Sequence, residues 1–173
     1  MLLTLFRAFF DICRLRKGPQ DLPASPELLS LSLLAYAIVV ALLGMISRPA
    51  ADAVGASLVE TGLVAGINFA LLALRRFEGR WLQTTTAMAG TGVLFTLFAM
   101  PLFAGLAGPG AAASPAQGVL YAGLLLLIVW NISVTAHILK HALSVPFAAA
   151  MVFAAAYAWV VAAAVSGMFP EPA

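Results

Sequence analysis

At 173 residues, 63% of them hydrophobic and 9% charged, with a mean hydropathy of +1.04, the chain lacks the polar surface that a soluble domain needs. Nine basic residues against seven acids give a net charge of +2, which points to an anionic membrane surface and not to nucleic acid. The single cysteine, Cys13, excludes an intramolecular disulfide and reads as a small hydrophobe.

Residues 2–15 read as an amphipathic helix. Leu2, Leu3, Phe6, Phe9, Phe10 and Cys13 recur at helical spacing, while Arg7, Asp11 and Arg14 share the other face. The segment is too short to span, so it is expected to lie in the headgroup layer with its phenylalanines among acyl chains. Its apolar residues precede the basic cluster Arg14, Arg16 and Lys17, the reverse of a cleavable signal, so it is expected to be retained. Gly18 to Pro23 ends the helix. Ser25 as N-cap, Pro26 at the first helical position and Glu27 in the first turn then start the next one.

A spanning helix takes about 20 mostly apolar residues. Five such runs follow, at 27–47, 53–74, 82–107, 118–139 and 146–168, as continuous stretches of Leu, Ala, Val and Phe and not as the alternating segments of a β-barrel. The fold class is therefore all-α: a polytopic membrane bundle of five helices after a short interfacial helix. Its parts are residues 1–25 as the cytoplasmic interfacial segment, 26–168 as the transmembrane domain and 169–173 as a short external tail. Eight of the nine basic residues fall on one side of these spans, Arg48 being the exception. The Lys/Arg bias of short loops then places the amino terminus in the cytoplasm and the carboxyl terminus outside. Compact loops and a high alanine content read as a bacterial inner-membrane protein, its carboxyl terminus periplasmic.

Several features within the spans bear on function. The second carries Gly62, Gly66 and Ala70 at four-residue intervals, a ribbon of small residues for close helix packing, with a partner protein or in a homo-oligomer. Glu60 is the one carboxylate well inside a span, about 10 Å below the external boundary, with no basic residue at the same depth to pair with it. An ionisable group at that depth is a functional candidate. A hydrogen-bonded structural role weighs against proton or cation handling and contact with a partner subunit. Asn68 and Asn131 lie at similar depths and read as interhelical glue. The third span opens on Gln83, Thr84, Thr85 and Thr86 and meets Pro101, where a kink is expected. An uncharged external loop, 107–117, follows.

In the fourth span, Trp130 needs a partner for its indole N–H. Ser133, His137, Lys140, His141 and Ser144 share one face. His137 and His141 have a metal-compatible spacing, but Lys140 lies between them and no acid or thiol completes a ligand set, so no metal and no cofactor is expected. Arg75, Arg76 and Arg80 lie in the loop on the same side as the histidines, at the level of anionic lipid heads. Ser144 is expected to cap the fifth span and Pro146 to begin it. No nucleophile elbow, phosphate loop or paired catalytic carboxylates occur, so no catalytic residue is assigned.

The lead-in Asp21-Leu22-Pro23, the entry Gly79-Arg80-Trp81-Leu82-Gln83, Trp130 in mid-span, and the turn from His137 to His141 followed by Ala142 resemble the YIP family of five-span membrane proteins. That family is named for interaction with Ypt/Rab GTPases. The resemblance implies a non-enzymatic integral membrane protein that organises partners or membrane shape. The expected function is thus an inner-membrane scaffold or accessory protein acting on lipids and partner proteins. The alternatives are a small proton- or ion-coupled transporter using Glu60, and a lipid-binding or lipid-modifying role for His137, Lys140 and His141.

Overall fold

From Thr84 to Thr91 one helix is buried at every position, and the others are arranged around it. Its residues there are threonine, alanine, glycine and one methionine, small enough for neighbours to close in on every side. In the computed structural model, which describes residues 2–108 and 116–170, this is α4 (Trp81–Ala107). The remaining helices are α1 (Leu2–Cys13), α2 (Pro26–Gly44), α3 (Ala50–Leu74), α5 (Ala116–Leu143) and α6 (Phe147–Met168). Short 3₁₀ turns at Pro19–Asp21 and Glu78–Arg80 join α1 to α2 and α3 to α4. Among the described residues there is no strand. Five helices, α2 to α6, are long and apolar enough to cross a membrane. The helix α2 packs on α3 and α4, and α5 packs on α4 and α6, so α4 lies between two antiparallel pairs. The centre of the expected 107–117 loop, residues 109–115, and the tail residues 171–173 lie outside the described residues.

The helix starts and stops follow local chemistry. Ser25 accepts from the Leu28 amide at 3.1 Å, with Pro26 in the first turn of α2, as its sequence indicates. The first span ends three residues early, at Gly44. The amides of Ile46 and Ser47 bond back three residues, and Pro49 disfavours helical backbone before it. The fourth extends to Leu143, not 139, which brings Lys140 and His141 into its last turn. Helix α4 continues past Pro101 to Ala107, with Pro101 on its exposed side.

Three helices end alike. Leu15, Arg76 and Ser144 adopt φ of 59°, 57° and 54°, and the amides of Arg16, Phe77 and Val145 bond back to the carbonyls of Asp11, Leu72 and Lys140. These are left-handed closures of α1, α3 and α5 in which a glycine would be less strained. Ser144 is therefore not the N-cap of α6, as its sequence position had indicated. It closes α5, and Pro146 directly precedes α6 with no side-chain cap.

Helix α1 packs against the bundle. Its apolar face is turned onto the bundle: Ile12 and Cys13 are buried and join a core cluster with Val64, Ala87, Met88, Phe95, Val134 and Ile138. Phe9 sits over Gly90 of α4, where a Cβ would collide with its ring. The glycine opens the notch that α1 occupies. Phe6 remains exposed.

Candidate functional site

The turns that close α3 and α5 meet at the end of the bundle that carries Arg75, Arg76, Arg80 and Lys140. Arg80 Nη1 donates to the carbonyls of His141 at 3.2 Å and Ala142 at 3.0 Å, and to Ser144 Oγ at 2.9 Å. Arg75 Nη2 reaches the Leu143 carbonyl at 3.5 Å. The last carbonyls of a helix have no internal partner and carry partial negative charge, so two guanidinium groups there cap α5. The Arg80 guanidinium also lies 4.4 Å from the Phe77 ring centroid. Gln83 Nε2 donates to the Leu22 carbonyl at 2.7 Å, tying the α1–α2 connection to α4. These contacts frame a cavity of about 260 Å³, lined by Gln20, Arg80, Gln83, Thr84, His141 and Ser144 among others.

The histidines belong to the same frame. His137 Nε2 lies 3.1 Å from the Lys17 carbonyl, and His141 Nδ1 lies 2.8 Å from the His137 carbonyl. A carbonyl only accepts, so both nitrogens donate, and in a neutral His141 the lone pair falls on Nε2. The ring centroids are 4.5 Å apart. Among the described residues, no three His, Cys, Asp or Glu side chains are grouped to hold a metal ion. Lys140 is half-buried in the last turn of α5, while Arg75 and Arg76 are exposed.

Trp130 has found its partner: Nε1 donates to the Cys13 carbonyl at 2.9 Å, and the ring packs edge-on to Phe95 at 5.1 Å. Trp81, at the start of α4, turns toward α3, with Nε1 donating to the Ala65 carbonyl at 3.0 Å. Burial pushes the Cys13 thiol up to about 12.

Glu60 lies elsewhere, nearer the opposite end. The Tyr36 hydroxyl donates to its Oε1 at 2.5 Å. Gly92 of α4 makes this reach possible, because a Cβ there would overlap the Tyr36 ring. A cavity of about 160 Å³ includes Ser47, Arg48, Ala56, Glu60, Phe103 and Val165 in its lining. The sequence indicates no basic residue at the depth of Glu60, but Arg48 from the α2–α3 turn lines the same cavity, and its charge acts on Glu60. A long side chain folding back from a short turn is not visible in linear spacing.

The remaining candidates stay apart. Asn68 is fully buried, and neither its amide nitrogen nor its oxygen is hydrogen-bonded; the hydroxyls of Thr85 and Thr86 are likewise without partners. Asn131 is half-buried on α5. Neither asparagine lines the Glu60 cavity. Gly62, Gly66 and Ala70 are exposed, and nothing of this chain lies within 4 Å of a Cβ built on either glycine. The ribbon is an open face of α3 and packs no helix of its own chain.

The class that these features define, among the described residues, is an all-helical protein with five helices of membrane-spanning length and hydropathy, consistent with a multi-pass membrane protein. No protein-family model, curated protein or solved structure matches the chain.

Proposed function

We propose that the protein is a non-enzymatic scaffold or accessory protein of the bacterial inner membrane, and that it organises lipids and partner proteins at its basic end. The amino terminus is cytoplasmic and the carboxyl terminus periplasmic in this reading, from the Lys/Arg bias across the spans. One observation carries it. Segments far apart in sequence, 17–22, 75–84 and 137–144, are joined by side-chain bonds to main-chain carbonyls at one end of the bundle. The cations Arg75, Arg76 and Lys140 sit on the segments so joined, and in this reading they face anionic lipid heads and acidic partners. The resemblance of residues 79–83 and 137–142 to the YIP family supports the same reading.

The test is purification in a mild detergent with mass spectrometry of bound lipids and proteins, comparing wild type with Arg75→Gln/Arg76→Gln/Lys140→Gln. The expected result is a loss of anionic phospholipid on the order of a hundredfold, the effect of removing three surface-level cations at about 1 kcal/mol each. Equal recovery from both proteins contradicts the proposal.

The cavity at Glu60 favours a second reading, a small proton- or ion-coupled transporter. Uptake into proteoliposomes that Glu60→Gln abolishes would support it, and absence of any Glu60-dependent flux across monovalent cations and protons would exclude it.

A further inference from the structure

We infer that the cavity between the Pro19–Asp21 turn, the start of α4 and the end of α5 binds one phosphate group, presented by an anionic phospholipid head. The inference rests on the basic end being the recognition surface and names what that surface takes.

The lining carries hydrogen-bond donors and no carboxylate. Arg80 spends only Nη1 on the end of α5, so Nε and Nη2 of the same planar fork remain for a ligand. Ser144 accepts from Arg80 through its oxygen and keeps its hydroxyl hydrogen to donate. His141 is anchored through Nδ1, so its Nε2 donates to a phosphate oxygen in the imidazolium form, and Gln20 adds an amide. A guanidinium fork beside hydroxyl and amide donors is the arrangement that recognises phosphate oxygens.

Charge agrees with this. The end of α5 contributes about half a negative charge, which the full charge of Arg80 outweighs. The nearby acids are Asp21 and Glu78, both exposed and neither lining the cavity, and Asp21 is bonded to the Gly18 amide at 2.8 Å. At about 260 Å³ the space is smaller than the roughly 300–1,000 Å³ of drug-sized ligand pockets and suits a headgroup fragment. Its rigidity is independent of any ligand, because Arg80 and Gln83 are fixed by main-chain carbonyls on two other segments. The donors are thus held in place before binding.

The full chain in detergent micelles, titrated with phosphatidylglycerol, phosphatidylcholine or inorganic phosphate and read by native mass spectrometry, tests the inference. The expected result is one phosphatidylglycerol retained per chain, with phosphatidylcholine retained far less. Arg80→Lys, which keeps the charge and loses the fork, and His141→Gln each weaken retention by about tenfold. Arg16→Gln, exposed at the same end and outside the cavity, leaves it unchanged. Competition by millimolar inorganic phosphate identifies phosphate itself as the bound group. Binding of inorganic phosphate without lipid retention, lost in the same variants, keeps the phosphate site and makes a soluble phosphate ester its source. Wild-type retention in both cavity variants, each checked for an unchanged melting temperature, overturns the site. If the Arg75/Arg76/Lys140 triple variant still loses lipid in that case, the surface reading survives and only the cavity is wrong.

Discussion

The indole of Trp130 donates its N–H to the Cys13 carbonyl at 2.9 Å, so a residue from the middle of α5 holds the last turn of α1. The bond answers two needs together. A buried indole N–H requires an acceptor, and a carbonyl in the last turn of a helix lacks its intrahelical donor. The amphipathic helix is in this way a component of the bundle, with Ile12 and Cys13 in the core.

Trp130→Phe keeps most of the ring packing and removes this bond. The expected cost is about 0.5–1.5 kcal/mol, since the Cys13 carbonyl loses a partner in an apolar setting. Thermal unfolding in detergent measures it, with a melting temperature a few degrees below wild type.

Cys13 reports on the docking of α1 chemically. With its thiol pushed up to about 12, only about one molecule in a thousand is thiolate at pH 9, and reactivity rises as the pH approaches 12. A maleimide is therefore expected to label the folded protein far more slowly than the unfolded one at pH 7–9. Equal rates in the two states would show that α1 is not docked.

Gly90→Leu places a side chain where the Phe9 ring now sits. Displacement of α1 is expected, with faster Cys13 labelling, while α2 to α6 keep their helicity by circular dichroism. Phe9→Ala should restore slow labelling in the Gly90→Leu background if the collision is the cause, because it reopens the occupied space.

Asn68 presents the opposite case, a fully buried amide with no hydrogen bond. Leucine has the same branched outline without polar atoms, so Asn68→Leu is expected to be neutral or to raise the melting temperature, by up to about 2 kcal/mol in stability. A fall of similar size would mean that the amide has a partner in the working protein.

The five long helices were legible because each is a continuous apolar run, and hydropathy alone decides such a run. The start of α2 was legible from Ser25-Pro26-Glu27, whose chemistry is local. The ends were less so: α1, α3 and α5 close at Leu15, Arg76 and Ser144, residues that give no glycine signal for a left-handed turn. The clustering of Arg80 with His141 and Ser144 depends on how α4 meets α5, some sixty residues along the chain, and spacing within one helix carries no trace of it. For the same reason Glu60 was legible as a candidate, whereas Tyr36 and Arg48 were not, since both reach it from outside α3.

Site-specific photo-crosslinking in intact membranes tests the claim that recognition lies at the basic end most directly. A photoreactive residue is placed at Lys140 in one protein and at Ser47, near the other end, in a second. The account predicts that position 140 crosslinks to anionic phospholipid or to one defined protein, and that position 47 does so at background level. Crosslinks of equal yield from both ends, or from position 47 alone, would contradict it.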